Sequence, residues 1–262
     1  MVAGRCAGRV AAVTGGSRGI GRAIAEALLA EGASVAICGR SAEKGKTALE
    51  EMNAGDRGYF VACDVRRQDE VEGFIDDTAR HFGALDILVS NAGGTDGFAR
   101  VHELSDEAWN NALAWNLNST FWATRRALPY MLRNRWGRII AISSVEGKQA
   151  TKPALSHYIT NKHAINGFVK AVAYEYGPDG ITSNAICPGA IETDTMRDAG
   201  AAAAAAAGIS YQEFLDRYAQ ESMIKRLIGA DEVAAMAVLL ASDAGAGITG
   251  ALLNVDGGSA PW

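Results

Sequence analysis

Seven short runs rich in Val, Ile, Ala and Cys punctuate the chain, at 9–13, 34–38, 59–65, 85–90, 138–143, 182–187 and 251–255. They are nearly continuous in apolar residues instead of alternating, the pattern of strands covered on both faces. Between them lie longer stretches with helical spacing, such as GRAIAEALLAEGA and EVAAMAVLLAS, with glycine at or just beyond their ends. Parallel neighbours need a crossover, and the helix that makes it must cover the sheet, so this alternation dictates a parallel sheet with helices on both faces. No proline- or serine-rich linker divides the 262 residues, and the chain reads as one α/β domain over 1–262.

One segment breaks the rhythm. Residues 190–227 separate the sixth run from the last helix and include seven consecutive alanines, Ala201 to Ala207. Excess length inside a compact fold is usually functional or disordered, and alanine favours helix, so a helical substrate lid is expected there. Composition excludes several function classes. Net charge is −5 and the basic residues form no run, so the electrostatic footprint of a nucleic-acid binder is missing. The N-terminus has no apolar stretch of signal-peptide length, and nowhere do about 18 strongly apolar residues follow one another. A cytoplasmic chain with no membrane anchor is expected. Cys6, Cys38, Cys63 and Cys187 lie far apart with no CxxC, as small core residues in a reducing compartment do. His81, His102, His157 and His163 show no metal-ligand spacing, and no metal is expected.

The first run leads straight into TGGSRGIG, Thr14 to Gly21, and then into a helix. Glycines at 15, 19 and 21 permit a tight turn and let backbone N–H groups approach a pyrophosphate, whose charge the helix N-terminus favours. The spacing is GxxxGxG, and its place between first strand and first helix is what gives it weight. With the alternating strands and helices, a doubly wound domain of Rossmann type is expected. Further along, Tyr158 and Lys162 stand four residues apart, on one face of a helix. A cation beside a phenol favours the phenolate, which brings a tyrosine toward acid or base use near neutrality.

TGGSRGIG, then SNAGG (90–94), Asn116 in AWNLNST, Ser144 in IAISSVEG, Tyr158 and Lys162 as YxxxK, and ICPGAIET (186–193) stand in the order and spacing of the short-chain dehydrogenase/reductase family, which the chain resembles over almost its whole length. One departure is that Tyr158 follows Ser144 by fourteen positions, one more than is common in that family. Ser143 is therefore the rival for the catalytic serine, although the following Val-x-Gly matches from Ser144.

The resemblance implies roles. Tyr158 exchanges a proton with a carbonyl or alcohol oxygen, while Lys162 lowers the phenol's pKa and holds the nicotinamide ribose. Ser144 donates a hydrogen bond where charge develops on that oxygen, and Asn116 holds a water linking Lys162 to solvent, its alternative being a helix-kink or capping amide. Further cofactor contacts are implied for Gly15, Ser17, Arg18, Gly19, Ile20 and Gly21 in the first turn. Asp64 and Val65 fall at the adenine edge, and Asn91, Ala92 and Gly93 beside the adenosine. Pro188, Gly189, Ile191 and Thr193 fall near the nicotinamide carboxamide.

Charge bears on the choice of dinucleotide. NAD-preferring members of this fold place an acid about 20 residues beyond the glycine turn. Here Cys38, Gly39 and Arg40 occupy that corner with Arg18 nearby, so NADP is expected over NAD. The alternative leaves Arg40 solvated or paired with Glu43.

Three subfamilies lie near: 3-hydroxybutyrate dehydrogenases, 3-oxoacyl-carrier-protein reductases and polyketide ketoreductases. Thr95, Glu146 and Leu155 occupy the places where the first grips a carboxylate, and Glu146 would repel an acid. Arg135 suits the acidic carrier of the second, but Asp179 precedes Gly180 where a basic residue is usual. Met196, Tyr211, Phe214, Tyr218 and Met223 in the lid suggest an apolar or cyclic small-molecule substrate. An aromatic series at helical spacing also serves as core. The family implies a homotetramer, for which Phe168, Val169, Val172 and Ala173 are available beyond the core face. The expected activity is a ketone reductase or secondary-alcohol dehydrogenase using NADP(H). The rivals are an idle dinucleotide-binding regulator and an NAD-dependent hydroxyacid or alcohol dehydrogenase of the same family.

Overall fold

A computed structural model describes residues 4–260. All seven apolar runs are strands: β1 (Val10–Thr14), β2 (Ser34–Gly39), β3 (Gly58–Ala62), β4 (Ile87–Ser90), β5 (Gly137–Ile142), β6 (Ile181–Pro188) and β7 (Leu252–Val255). They form one parallel sheet in the order β3-β2-β1-β4-β5-β6-β7. The chain winds outward from β1 to β3, then returns to the other side of β1 with β4. The C-terminal ends of β1 and β4 thus flank the crevice where such sheets bind ligands.

Two apolar layers sandwich the sheet, and successive strand residues feed opposite sides. Ala11, Val13, Val35 and Ile37 face α1 (Gly19–Ala30), α2 (Ala42–Glu51) and the late helix Ala230–Ala241. Ala12, Ala36, Cys38 and Leu88 face α3 (Gln68–Phe82) and the helices Ser119–Asn134 and Ser156–Tyr176. Phe74, Ile24, Leu28 and Met131 are fully buried, each worth about 1.5–3 kcal/mol relative to exposure. All four cysteines are buried and unpaired.

The third run ends as a strand three residues earlier than its composition suggests. Cys63 N–H still bonds Gly39 O at 3.0 Å, but Asp64 then turns the chain, its Oδ1 accepting from Arg66 N at 3.1 Å. Val65 is core.

Helix α4 (Asp106–Leu113) runs into α5 (Ser119–Asn134) through one π-helical turn, Ala114–Asn118, and α6 (Ser156–Tyr176) carries the YxxxK pair. Residues 190–227 hold two helices, α7 (Asp194–Ala206) and α8 (Tyr211–Glu221), before α9 (Ala230–Ala241). Thr193 and Ser210 cap them, accepting from Met196 N at 3.3 Å and Glu213 N at 3.1 Å. The ends of the excursion meet, with Ile228 N–H donating to Ala190 O at 3.0 Å. Among the described residues, no helix is long and apolar enough to cross a membrane.

Candidate active site

Thr14 and the glycine turn anchor the crevice. The Thr14 hydroxyl accepts from the backbone N–H of both Asn91 and Ala92 at 3.0 Å. Asn91 Nδ2 donates to Thr14 O at 2.9 Å and to Gly15 O at 3.3 Å. Asn91 therefore spends its side chain joining β4 to β1. Gly15 and Gly19 take φ +66° and +55°, which only glycine adopts freely. A Cβ on Gly21 would sit 2.4 Å from both Asn91 Nδ2 and Gly15 O, so the turn packs without side chains. Thr193, from the loop after β6, comes within 3.5 Å of where a Gly19 Cβ would be, closing the turn from above.

At the outer end of the turn Arg18 and Arg40 are both exposed, and Gly39 backs onto Ser17. Among the described residues neither guanidinium pairs with a carboxylate; the Arg40–Glu43 pairing does not form. Asp64 is held by Arg66 at 2.6 Å, and that side-chain hydrogen bond is the main reason its carboxyl titrates below the usual range. Val65 and Ile191 are buried in the apolar layers. Ile20 is half-buried, and Pro188 pairs with Val255 at the sheet's edge. Gly189 N–H bonds Val255 O at 3.0 Å.

Ser144 and Tyr158 line one cavity of about 240 Å³ beneath α7 and α8. A larger groove of about 590 Å³ lies outside it along 226–232, but none of Ser144, Tyr158 and Lys162 borders that groove. The adjacent serines separate cleanly: Ser143 is buried and donates to Lys162 O at 3.2 Å, whereas Ser144 faces the cavity and accepts from Glu146 N at 3.1 Å.

Lys162 is 4 % exposed and donates to Ile142 O at 2.8 Å. Burial without a carboxylate partner lowers its pKa to about 8. Its Nζ stands 5.4 Å from the Tyr158 ring centroid. The phenol departs from the sequence reading, since its pKa is raised, not lowered. Burial is the largest cause, contact with the Ser144 hydroxyl opposes it and the Glu146 charge adds to it.

Asn116 sits in the π-helical turn, a form common at functional sites. Its Nδ2 donates to Gly94 O at 2.7 Å and Ala112 O at 2.8 Å, and its Oδ1 accepts from Gly94 N at 3.2 Å. The amide clamps the loop after β4 to the helix. Gly93 lies between: a Cβ there would meet Asn116 Oδ1 at 2.6 Å and Lys162 Nζ at 3.5 Å.

Several readings change. Val169, Val172 and Ala173 are buried within the chain, leaving only Phe168 of that series partly exposed. Tyr211 and Phe214 stack with centroids 6.2 Å apart, and Phe214 fills the space beside Gly200. They hold α7 to α8, while Met196 and Tyr218 line the cavity. Arg135 is tied to Pro178 O at 2.9 Å and to Asp179 at 3.4 Å.

Sequence reasoning missed His157. It is fully buried, and its Nε2 contacts the Thr95 hydroxyl and, at 2.8 Å, Asp96 O, so it pins the loop after β4 to the residue before Tyr158. A search for metal-ligand spacing could not find such a role.

A parallel sheet with this switch point, a glycine turn on its first strand, and Ser144 and Tyr158 on one cavity with Lys162 buried beside the Tyr158 ring are the frame of an oxidoreductase, and the chain belongs to the short-chain dehydrogenase/reductase family, whose members use NAD(P)H. The family described as enoyl-(acyl carrier protein) reductase matches residues 15–260. The chain is 36 % identical over 253 residues to a D-beta-hydroxybutyrate dehydrogenase of Cupriavidus necator, covering 96 % of this chain and 97 % of that one. It is 35 % identical over 269 residues to a 3beta-hydroxysteroid dehydrogenase of Mediterraneibacter gnavus, covering 98 % and 97 %. A crystal structure of an actinorhodin polyketide ketoreductase variant with NADPH superposes with a TM-score of 0.92 at 36 % identity, over 100 % of both chains.

Proposed function

We propose that the chain reduces a ketone with NADPH, or oxidises the corresponding secondary alcohol. The observation that carries this reading is the convergence of Ser144 and Tyr158 on one cavity, with the buried ammonium of Lys162 behind them. The relatives are named for hydroxyl or keto groups, which fits.

The residues suit a dinucleotide. The glycine turn has no side chain in the way, Arg18 and Arg40 have charge to spare, and Lys162 holds no carboxylate. When bound, the reduced cofactor supplies the hydride. Tyr158, protonated at neutrality, gives its proton to the carbonyl oxygen, and in reverse takes it from the alcohol. Ser144 donates a hydrogen bond to the same oxygen, which strengthens as charge develops there. Lys162 bonds the ribose and carries a proton that can replace the one Tyr158 gives up. Asn116 and His157 fix the loop that walls the site. Arg18 and Arg40 bind the 2′-phosphate through charge-assisted hydrogen bonds, which gives NADPH preference over NADH.

Helices α7 and α8 act as the lid over a neutral, apolar or cyclic substrate, presenting Met196 and Tyr218 to it. The chain assembles as a cytoplasmic homotetramer; exposed Trp109 and Phe121 on α4 and α5, with Phe168, supply apolar surface for it. Following NADPH oxidation by absorbance against cyclic ketones, β-ketoacyl thioesters and small keto acids tests the reading. Turnover of a cyclic ketone with kcat/KM higher for NADPH than NADH is expected, and no turnover of any class rejects it. A light-scattering mass of one subunit at micromolar concentration rejects the assembly.

A further inference from the structure

Lys152, in the loop that leads into α6, reaches the cavity mouth and ion-pairs with Glu221 on α8. Its ammonium also stands 4.4 Å from the ring centroid of Tyr218, one turn back on that helix. Both partners line the cavity. The wall's other charges are already engaged. Arg226 is held by the two carboxylate oxygens of Glu232 at 2.6 and 3.0 Å. Glu146 accepts from the Thr151 hydroxyl and, at 3.1 Å, from Thr151 N–H. Asp256 accepts from Gly258 N at 3.0 Å and Ala260 N at 2.8 Å. Among the described cavity residues, Lys152 is thus the cation an entering ligand can recruit, and Glu221 occupies it. The pair is partly sheltered, at 25 % and 47 % side-chain exposure, so an anionic ligand could take Lys152 only by exchanging one ion pair for another.

We propose that Lys152 determines substrate specificity and that Glu221 is a built-in carboxylate which keeps it from anionic substrates, so that the chain takes neutral ketones and alcohols and discriminates against keto and hydroxy acids. This rests on the cavity being the substrate site. An acid that reached Lys152 would have to displace Glu221, leaving that carboxylate unpaired beside the acid's own charge in a cavity that Glu146 also lines, and the charge-assisted bond gained would only replace the one lost. A neutral substrate leaves the pair intact and lies against Met196 and the exposed edge of Tyr218. Glu221→Gln keeps the shape of the side chain, removes its charge and frees Lys152.

Calorimetric binding of cyclohexanecarboxylate and cyclohexanecarboxamide to the full-length chain tests this with wild type, Glu221→Gln and the double variant Lys152→Met/Glu221→Gln. Glu221→Gln should raise the affinity for the carboxylate over that for the amide by about tenfold, the worth of one charge-assisted hydrogen bond, and the double variant should lose that gain. The ratio of kcat/KM for 4-oxocyclohexanecarboxylate over cyclohexanone should move in parallel. A binding ratio within about twofold of wild type in Glu221→Gln, a gain that survives the loss of Lys152, or no binding of either compound to any of the three proteins overturns the proposal. Absence of turnover with the expected binding changes would remove the reductase reading and leave the specificity assignment standing. Turnover of cyclohexanone with an unchanged binding ratio would do the reverse.

Discussion

Lys162 and the pair Arg18 and Arg40 stand along the same C-terminal edge of the sheet, and among the described residues none has a carboxylate partner, yet their surroundings are opposite. Lys162 is enclosed by β5, α6 and the loop at Gly93, and burial, which disfavours the charged form, lowers its pKa to about 8. The arginines are exposed, where salt screens their interactions. Enclosure turns a cation into a group whose protonation can take part in chemistry. Exposure leaves one that only recognises. Loss at the buried corner should therefore damage the reaction, and loss at the open corner the choice of cofactor.

The largest effect tests the buried corner. Tyr158→Phe deletes the proton donor and almost none of the volume, so kcat should fall about 100-fold or more while the NADPH dissociation constant, from fluorescence titration, stays within about twofold. Retention of more than about a tenth of wild-type kcat would remove Tyr158 from the mechanism. Lys162→Ala should lower kcat by about tenfold or more and also weaken NADPH binding, because one ammonium serves both proton supply and ribose. An intact dissociation constant would separate those roles.

The pH profile sharpens the contrast. Burial lowers the Lys162 pKa, so its ammonium form prevails below about 8 and is lost as pH rises through that value. Ketone reduction should accordingly decline above about pH 8, measured as kcat/KM. A flat profile to the alkaline side would mean that the ammonium does not assist. At the open corner, Arg40→Asp adds repulsion while removing attraction and should shift the NADPH-to-NADH ratio of kcat/KM toward NADH by about tenfold, an effect that shrinks as salt is raised. Arg18→Ala should raise KM for NADPH by about threefold, with the same salt dependence. A change in kcat instead would place Arg18 with the buried group.

The sheet was legible because fully covered strands read as continuous apolar runs, and the glycine turn because its φ values admit few other residues. Helix between 190 and 227 was legible in the alanine tract, but its division into α7 and α8, with Thr193 and Ser210 as their caps, was not. What the chain concealed depends on neighbours distant in sequence. Val169 and Val172 looked free because the residues that bury them come from other elements. The rise in the Tyr158 pKa needs the depth of its pocket, which periodicity does not carry. Asn91 and Asn116 sit where the family places functional residues, and their amides also bond backbone groups that sequence does not announce, Thr14 and Gly15 for Asn91 and Gly94 for Asn116. Lys152 meets Glu221 across 69 residues, and no local motif announces an ion pair of that span.

The β1–β4 junction has a consequence in time. Ala11 pairs with Ile87, so the crevice between these strands closes only after the intervening chain has wound out through β2 and β3 and back. Such a non-local pairing forms slowly, because loop-closure entropy must be overcome before the contact rewards it. During synthesis, the first three strands emerge as a unit with one side of β1 open, a bare edge that can pair with another chain. In refolding, β1 amides facing β4 should gain hydrogen-exchange protection later than those facing β2, and simultaneous protection of both sides would show that the sheet assembles in one step.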